Sequence, residues 1–230
     1  MDKAAALTYR LTRGGYAAGV MSRFQSLGDN CEFGLVQRRW GVEQLGLFRF
    51  AGAFAPLIAG AIEDDFAELM DEANLNCYLS DQTREYIVHA PIYNIQFHTW
   101  IYGDAKPIEL VGPEQKQKLR FLARNLREEM EEAGKIFVFR TRQPHERANV
   151  ERLLRALRAR GPNRLLWVEE AGPARAAGSV EDVGGGLLRG YMQRLAPYDD
   201  AFQAFDVGWL RLCERVLAIT DRDSFREDCA

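Results

Sequence analysis

Lys135-Ile136-Phe137-Val138-Phe139-Arg140, a segment of helix length over 146–160, and then Arg164-Leu165-Leu166-Trp167-Val168-Glu169 follow one another in the second half of the chain. Two apolar runs of strand length enclose a helix, which is a βαβ unit. Parallel strands need such a crossover, so this half carries two parallel strands with the helix lying on the sheet. The expected class is α/β: a single domain with a mixed sheet, a parallel βαβ unit in the second half, and helices on both faces.

Working outward from that unit, Pro113 to Gly134 reads as a long charged helix, with Leu119, Leu122, Leu126 and Met130 at steps of three and four. Upstream, Cys77-Tyr78-Leu79, Tyr86-Ile87-Val88-His89 and Ile95 to Tyr102 are short aromatic and β-branched runs separated by turn residues, the pattern of strands. Ala53 to Ala73 carries a helical apolar stripe through Phe54, Ile58, Ile62, Phe66 and Leu69. Leu45 to Phe50 reads as a strand or an extended turn. Downstream, the Gly- and Ala-rich stretch 171–186 reads as a mobile loop and Phe202 to Ile219 as a closing helix. Residues 1–22 read as an N-terminal arm or loosely attached helix, 23–220 as the domain and 221–230 as a tail.

Composition narrows the partners. With 230 residues the chain can bury a substantial core, and a net charge of −3 gives no mandate for nucleic acid or an anionic membrane, so neither is expected. No stretch approaches the roughly 20 apolar residues that span a bilayer. Cys31, Cys77, Cys213 and Cys229 show no paired spacing, which favours reduced thiols in a cytoplasm and argues against a structural zinc site. Gly184-Gly185-Gly186 lacks the Lys-Ser or Lys-Thr of a phosphate-binding loop. No metal and no cofactor is expected, and the sequence is silent on the oligomer.

The chemistry is expected at Phe24-Gln25-Ser26-Leu27-Gly28-Asp29-Asn30-Cys31-Glu32-Phe33-Gly34-Leu35, where an apolar run ends in a turn and a cysteine opens a helix over 31–40. Free N–H groups at a helix N-terminus favour negative charge, so Cys31 there is expected to ionise readily and act as a nucleophile. The competing reading is a small buried apolar residue. A nucleophilic thiol needs a base, and the histidines are His89, His98 and His145. Alternation in Gln96-Phe97-His98-Thr99-Trp100 puts Gln96, His98 and Trp100 on one face, which makes His98 the preferred base over His89 beside Pro91 and over His145 after Pro144. Candidates to orient the imidazole are Asn94, Gln96, Asp104 and Glu109, among which the sequence does not select. Gln25, six residues before Cys31, is a candidate oxyanion donor together with the Cys31 N–H. Asp29 and Asn30 have turn and N-cap chemistry, and with Arg49 they complete the expected substrate-binding set. Arg49, between two phenylalanines, has either to reach solvent or to find an anionic partner.

Ser26-Leu27-Gly28-Asp29-Asn30-Cys31, the following Gln37-Arg38-Arg39 and the downstream Phe97-His98 resemble a bacterial family of papain-like cysteine peptidase domains whose function is otherwise unknown. That family carries a Ser-Leu-Gly-x-Asn-Cys block, an arginine-containing helix, a Pro-Phe-Asp-Trp block and a Phe-x-His or similar segment. The resemblance covers about two thirds of the chain. It implies Cys31 as nucleophile, His98 as its histidine, and an α+β papain-like arrangement as the alternative fold. The chain departs from the pattern at Leu47-Phe48-Arg49-Phe50, where Arg49 replaces an acidic residue. The expected function is a cysteine-dependent hydrolase or acyl transferase acting on a small-molecule, peptide or glycan substrate. The rival is a non-catalytic module that binds an anionic glycan, nucleotide or peptide through Arg49.

Overall fold

A computed structural model describes residues 14–142 and 147–227, with side chains described as far as residue 221. His145 and Cys229 therefore lie outside the described residues. The chain begins with helical residues 14–22 (α1) and continues β1 (Phe24–Ser26), α2 (Glu32–Arg39), β2 (Ala51–Gly52), α3 (Ala55–Glu63), α4 (Ala67–Met70), β3 (Asn76–Leu79), β4 (Glu85–Ala90) and β5 (Ile95–Tyr102). There follow α5 (Ile108–Glu132), β6 (Ile136–Arg140), α6 (Arg147–Arg158), β7 (Arg164–Glu170), β8 (Val180–Gly184), β9 (Leu187–Met192) and α7 (Asp206–Glu227).

The strands form a mixed sheet in the order β1-β6-β7-β9-β8 and an antiparallel sheet in the order β2-β5-β4-β3. In the first, β1, β6, β7 and β9 run parallel and β8 closes the edge antiparallel to β9. The fold is thus α/β, and β6-α6-β7 is the βαβ unit. Alternation along the strands divides the core in two. Phe137 and Phe139 of β6 and Leu165 and Trp167 of β7 pack with α3, α5 and α6, whereas Val138, Leu166 and Val168 pack with α1, α2 and α7. Parallel strands buried on both faces read as unbroken apolar runs, which is why this half of the sequence is so explicit.

Four local differences have physical causes. Residues 14–22 are tied in rather than loose, because Ala17, Val20 and Met21 are buried in the second core. The stripe expected to be one helix from Ala53 to Ala73 breaks at Asp65 and Phe66, whose φ values of 61° and 58° are left-handed, and the Phe66 N–H closes back on the Ala61 carbonyl. Helix α5 starts before Pro113, at Ile108, and ends on Ala133 at φ 50° rather than on Gly134. The glycine run belongs to a hairpin: Gly185 and Gly186, at φ 62° and 88°, turn β8 into β9, the geometry a two-residue hairpin demands. Among the described residues no helix is long and apolar enough to cross a membrane.

Candidate active site

The loop Leu27–Asn30 leaves the carboxyl end of β1 and delivers Cys31 to the N-cap of α2. Gly28 allows this: its φ of 95° and the Ala51 carbonyl oxygen 3.2 Å from where a Cβ would stand leave room only for glycine. Asp29 follows at φ 70°, its N–H donating to the Ala53 carbonyl. The turn is then fixed from below by Arg140 at the end of β6. The Arg140 guanidinium, 1% exposed, donates to Glu32 Oε2 at 2.9 Å, Asp29 Oδ2 at 3.3 Å and the Ala196 carbonyl at 2.6 Å. Trp209 Nε1 donates to the other Glu32 oxygen, and Tyr198 Oη to Asp29 Oδ2. A buried cation shared between two carboxylates, each with further donors, holds the nucleophile loop in one geometry.

Cys31 opens on a cavity of about 380 Å³ between the loop that follows β1 and the antiparallel sheet. Asp29, Asn30, Leu35 and Gly52 line it on one side, Glu85, His98, Trp100 and Tyr102 on another, and the segment Tyr198–Phe202 covers it. The structure therefore brings Cys31 and His98 into one cavity. Phe97 and Thr99 are buried on the opposite face of β5, as alternation requires, with Gln96 exposed. His89 lies on the same strand pair but is not among the cavity residues.

Glu85, 3% exposed, supplies the orienting group. His98 Nδ1–H donates to Glu85 Oε2 at 2.9 Å, and the Trp100 backbone N–H donates to Oε1 at 2.7 Å. Trp100 reaches that oxygen by adopting φ 61°, a left-handed conformation that a bulky residue rarely takes, next to a register shift between Glu85 and Ile87. With Nδ1 committed to Glu85, the Nε2 atom of His98 is the nitrogen left to work. The Trp100 ring packs edge-on to Phe50 and Phe202 at 5.5 and 6.0 Å and beside His98 at 5.8 Å. None of Asn94, Gln96, Asp104 and Glu109 orients His98; the carboxylate that does lies on β4, across the sheet.

Three expectations are corrected. The Cys31 thiol is not acidified: burial first, and the Glu85 carboxylate second, push it up to about 12 against the lowering fields of Arg140 and Arg38. Desolvation outweighs the helix N-terminus because the residue is only 7% exposed. Gln25 does not face the cavity. Its fully buried amide donates to Glu129 Oε2 at 2.8 Å and to the Leu45 carbonyl at 3.3 Å, so its hydrogens are spent on α5 and on the loop before β2. Arg49 is a brace rather than a ligand clamp. It is 2% exposed and donates to Glu43 Oε2, and to the Gln44, Gly34 and Val42 carbonyls at 2.7–3.1 Å. Gly34 permits this approach, since a Cβ there would stand 2.6 Å from Arg49 Cγ and from the Arg49 carbonyl oxygen. The anionic partner that Arg49 requires is thus internal.

Asn30 stays with the site. Its Oδ1 accepts the Glu32 N–H at 2.8 Å, an Asx turn leading into α2, while its Nδ2 is buried with no partner among the described residues. Among the described residues no group of three or more His, Cys, Asp or Glu side chains converges as a metal ion requires. Comparison with models of known families, with curated proteins and with solved structures found no match to this chain.

Proposed function

We propose that this protein is a cysteine-dependent hydrolase or acyl transferase, of the peptidase-like kind its Cys31 block resembles, working with reduced thiols in a cytoplasm. The observation that carries the reading is a thiol and an imidazole in one cavity, with the imidazole held by a buried carboxylate. A thiol raised to about 12 is almost wholly protonated at pH 7, so a resting thiolate is not the reactive species. The His98 Nε2 lone pair accepts the thiol proton as Cys31 Sγ attacks a carbonyl carbon. The new S–C bond forms while the carbonyl π pair moves to oxygen. On collapse that pair returns, the leaving group departs with the proton held by His98, and water or a second nucleophile takes the acyl group from sulfur. Glu85 keeps the imidazole in the accepting tautomer and stabilises the imidazolium, as the third member of such triads does.

The test is the pH dependence of Cys31 acylation by an activated ester in the parent and in His98→Ala. The proposal expects the variant to lose the neutral-pH limb and to react only as the thiol ionises in strong alkali. Equal profiles would remove His98 from the mechanism and leave the ligand-binding module as the better reading.

A further inference from the structure

We infer that the side-chain amide of Asn30 is the oxyanion donor of this site, an assignment that rests on Cys31 being the acyl-accepting nucleophile. Asn30 directly precedes Cys31 and is 7% exposed. The orientation of its amide is fixed by chemistry: the Glu32 backbone N–H can only donate, so the group facing it at 2.8 Å is the carbonyl oxygen and the NH₂ points the other way. That NH₂ has no hydrogen-bond partner among the described residues, and the residue lines the cavity with Cys31 and His98.

Buried donors are nearly always satisfied, and one kept empty beside a nucleophile matches a group whose partner arrives with the substrate. Its desolvation is the condition under which a fixed donor stabilises developing negative charge most, because no water has to be expelled when the charge appears. The Asx-turn bond from Glu32 holds the amide in place before substrate binds. Gln25, the other amide near the nucleophile in sequence, has its hydrogens on Glu129 and Leu45. As the S–C bond forms, the carbonyl pair moves to an oxygen that accepts from Asn30 Nδ2; as the pair returns and the leaving group departs, the amide is released unchanged. Being neutral, the donor acts equally at every pH where the chain is folded.

The experiment uses the full chain, p-nitrophenyl acetate and iodoacetamide, with Asn30→Ala and Asn30→Asp. The aspartate keeps an acceptor for the Glu32 N–H, so it retains the Asx turn while losing the donor. Alkylation by iodoacetamide displaces iodide from a saturated carbon and forms no oxyanion, so its rate at Cys31, read by peptide mass spectrometry, reports the thiol alone. Acylation is read from the burst of p-nitrophenolate. The acylation-to-alkylation ratio is expected to fall about 10²- to 10³-fold in both variants, the loss seen when one oxyanion donor is removed. A ratio within threefold of the parent overturns this inference and leaves the nucleophile standing. A parent chain that is alkylated at Cys31 but never acylated removes the nucleophile and this inference together.

Discussion

Glu85→Gln changes one atom and should disable the site while leaving it folded. The Glu85 carboxylate receives two donors, the Trp100 N–H at 2.7 Å on Oε1 and His98 Nδ1–H at 2.9 Å on Oε2. A glutamine has one acceptor. The Trp100 N–H cannot turn away, because it belongs to a strand residue held at φ 61°, so the glutamine carbonyl must face it and the NH₂ must face His98. Two donors cannot face each other, and the imidazole therefore shifts its proton to Nε2, the atom required to accept from Cys31. The wrong tautomer in a comparable serine protease triad costs about 10⁴ in kcat, or roughly 5.5 kcal/mol of barrier. Losing the carboxylate charge also removes one of the two influences that raise the Cys31 thiol. Alkylation should then quicken while acylation collapses. Stopped-flow p-nitrophenolate release gives the acylation rate, and ¹⁵N NMR of the imidazole gives the tautomer. Acylation within tenfold of the parent, with the proton demonstrably on Nε2, would refute the assignment of His98 as base.

Other outcomes follow from the same geometry. Arg140→Met leaves Asp29 and Glu32 buried without their shared cation, and chemical denaturation should show a loss of about 3–5 kcal/mol. Gly34→Ala drives a methyl into the Arg49 side chain and backbone and should cost about 1–3 kcal/mol in the same assay, whereas alanine at an unobstructed helical glycine stabilises by about 0.5–1 kcal/mol. The rate of iodoacetamide labelling at Cys31 should climb through the alkaline range without levelling near pH 9, because the folded thiol lies at about 12; a plateau by pH 9 would contradict the buried site. The linked stability has a definite sign. Between about 9 and 12 the unfolded thiol is ionised and the folded one is not, so stability is intact below pH 9 and falls as pH rises, and Cys31→Ala should lessen that fall as read by thermal melting.

Much of this architecture is written in local patterns. The β6-α6-β7 unit is legible because strands buried on both faces need unbroken apolar runs, and the β3–β5 segments because aromatic and β-branched residues stand between turn residues. Strand β9 escaped, since Leu187–Met192 is broken by Arg189 and Gly190; Arg189 is accommodated by Glu169 and the Trp167 ring, long-range contacts that no window displays. Cys31 and His98 are visible as residue types, but their meeting depends on two different sheets. A simple count outward from the Pro91–Asn94 turn sets Ile87 opposite His98, but a register shift between Glu85 and Ile87 then places Glu85 opposite Tyr102, an irregularity no count supplies. Glu85 was missed for that reason and because a glutamate at a strand edge reads as exposed. Gln25 and Arg49 misled for a common reason, since a polar side chain in an apolar setting attracts a functional reading, and here internal carbonyls and carboxylates take up the Gln25 amide hydrogens and both terminal nitrogens of Arg49. The sign of the Cys31 shift was lost because sequence shows a helix start but not the depth at which it lies.

The central claim is that Cys31 takes an acyl group with the help of His98 and Glu85. Intact-protein mass spectrometry during reaction with p-nitrophenyl acetate at neutral pH tests it directly. A single acetyl adduct is expected that maps to Cys31, decays on standing, and is lost in Cys31→Ala and strongly slowed in His98→Ala. An adduct on another residue, or equal ester cleavage by Cys31→Ala, would contradict it.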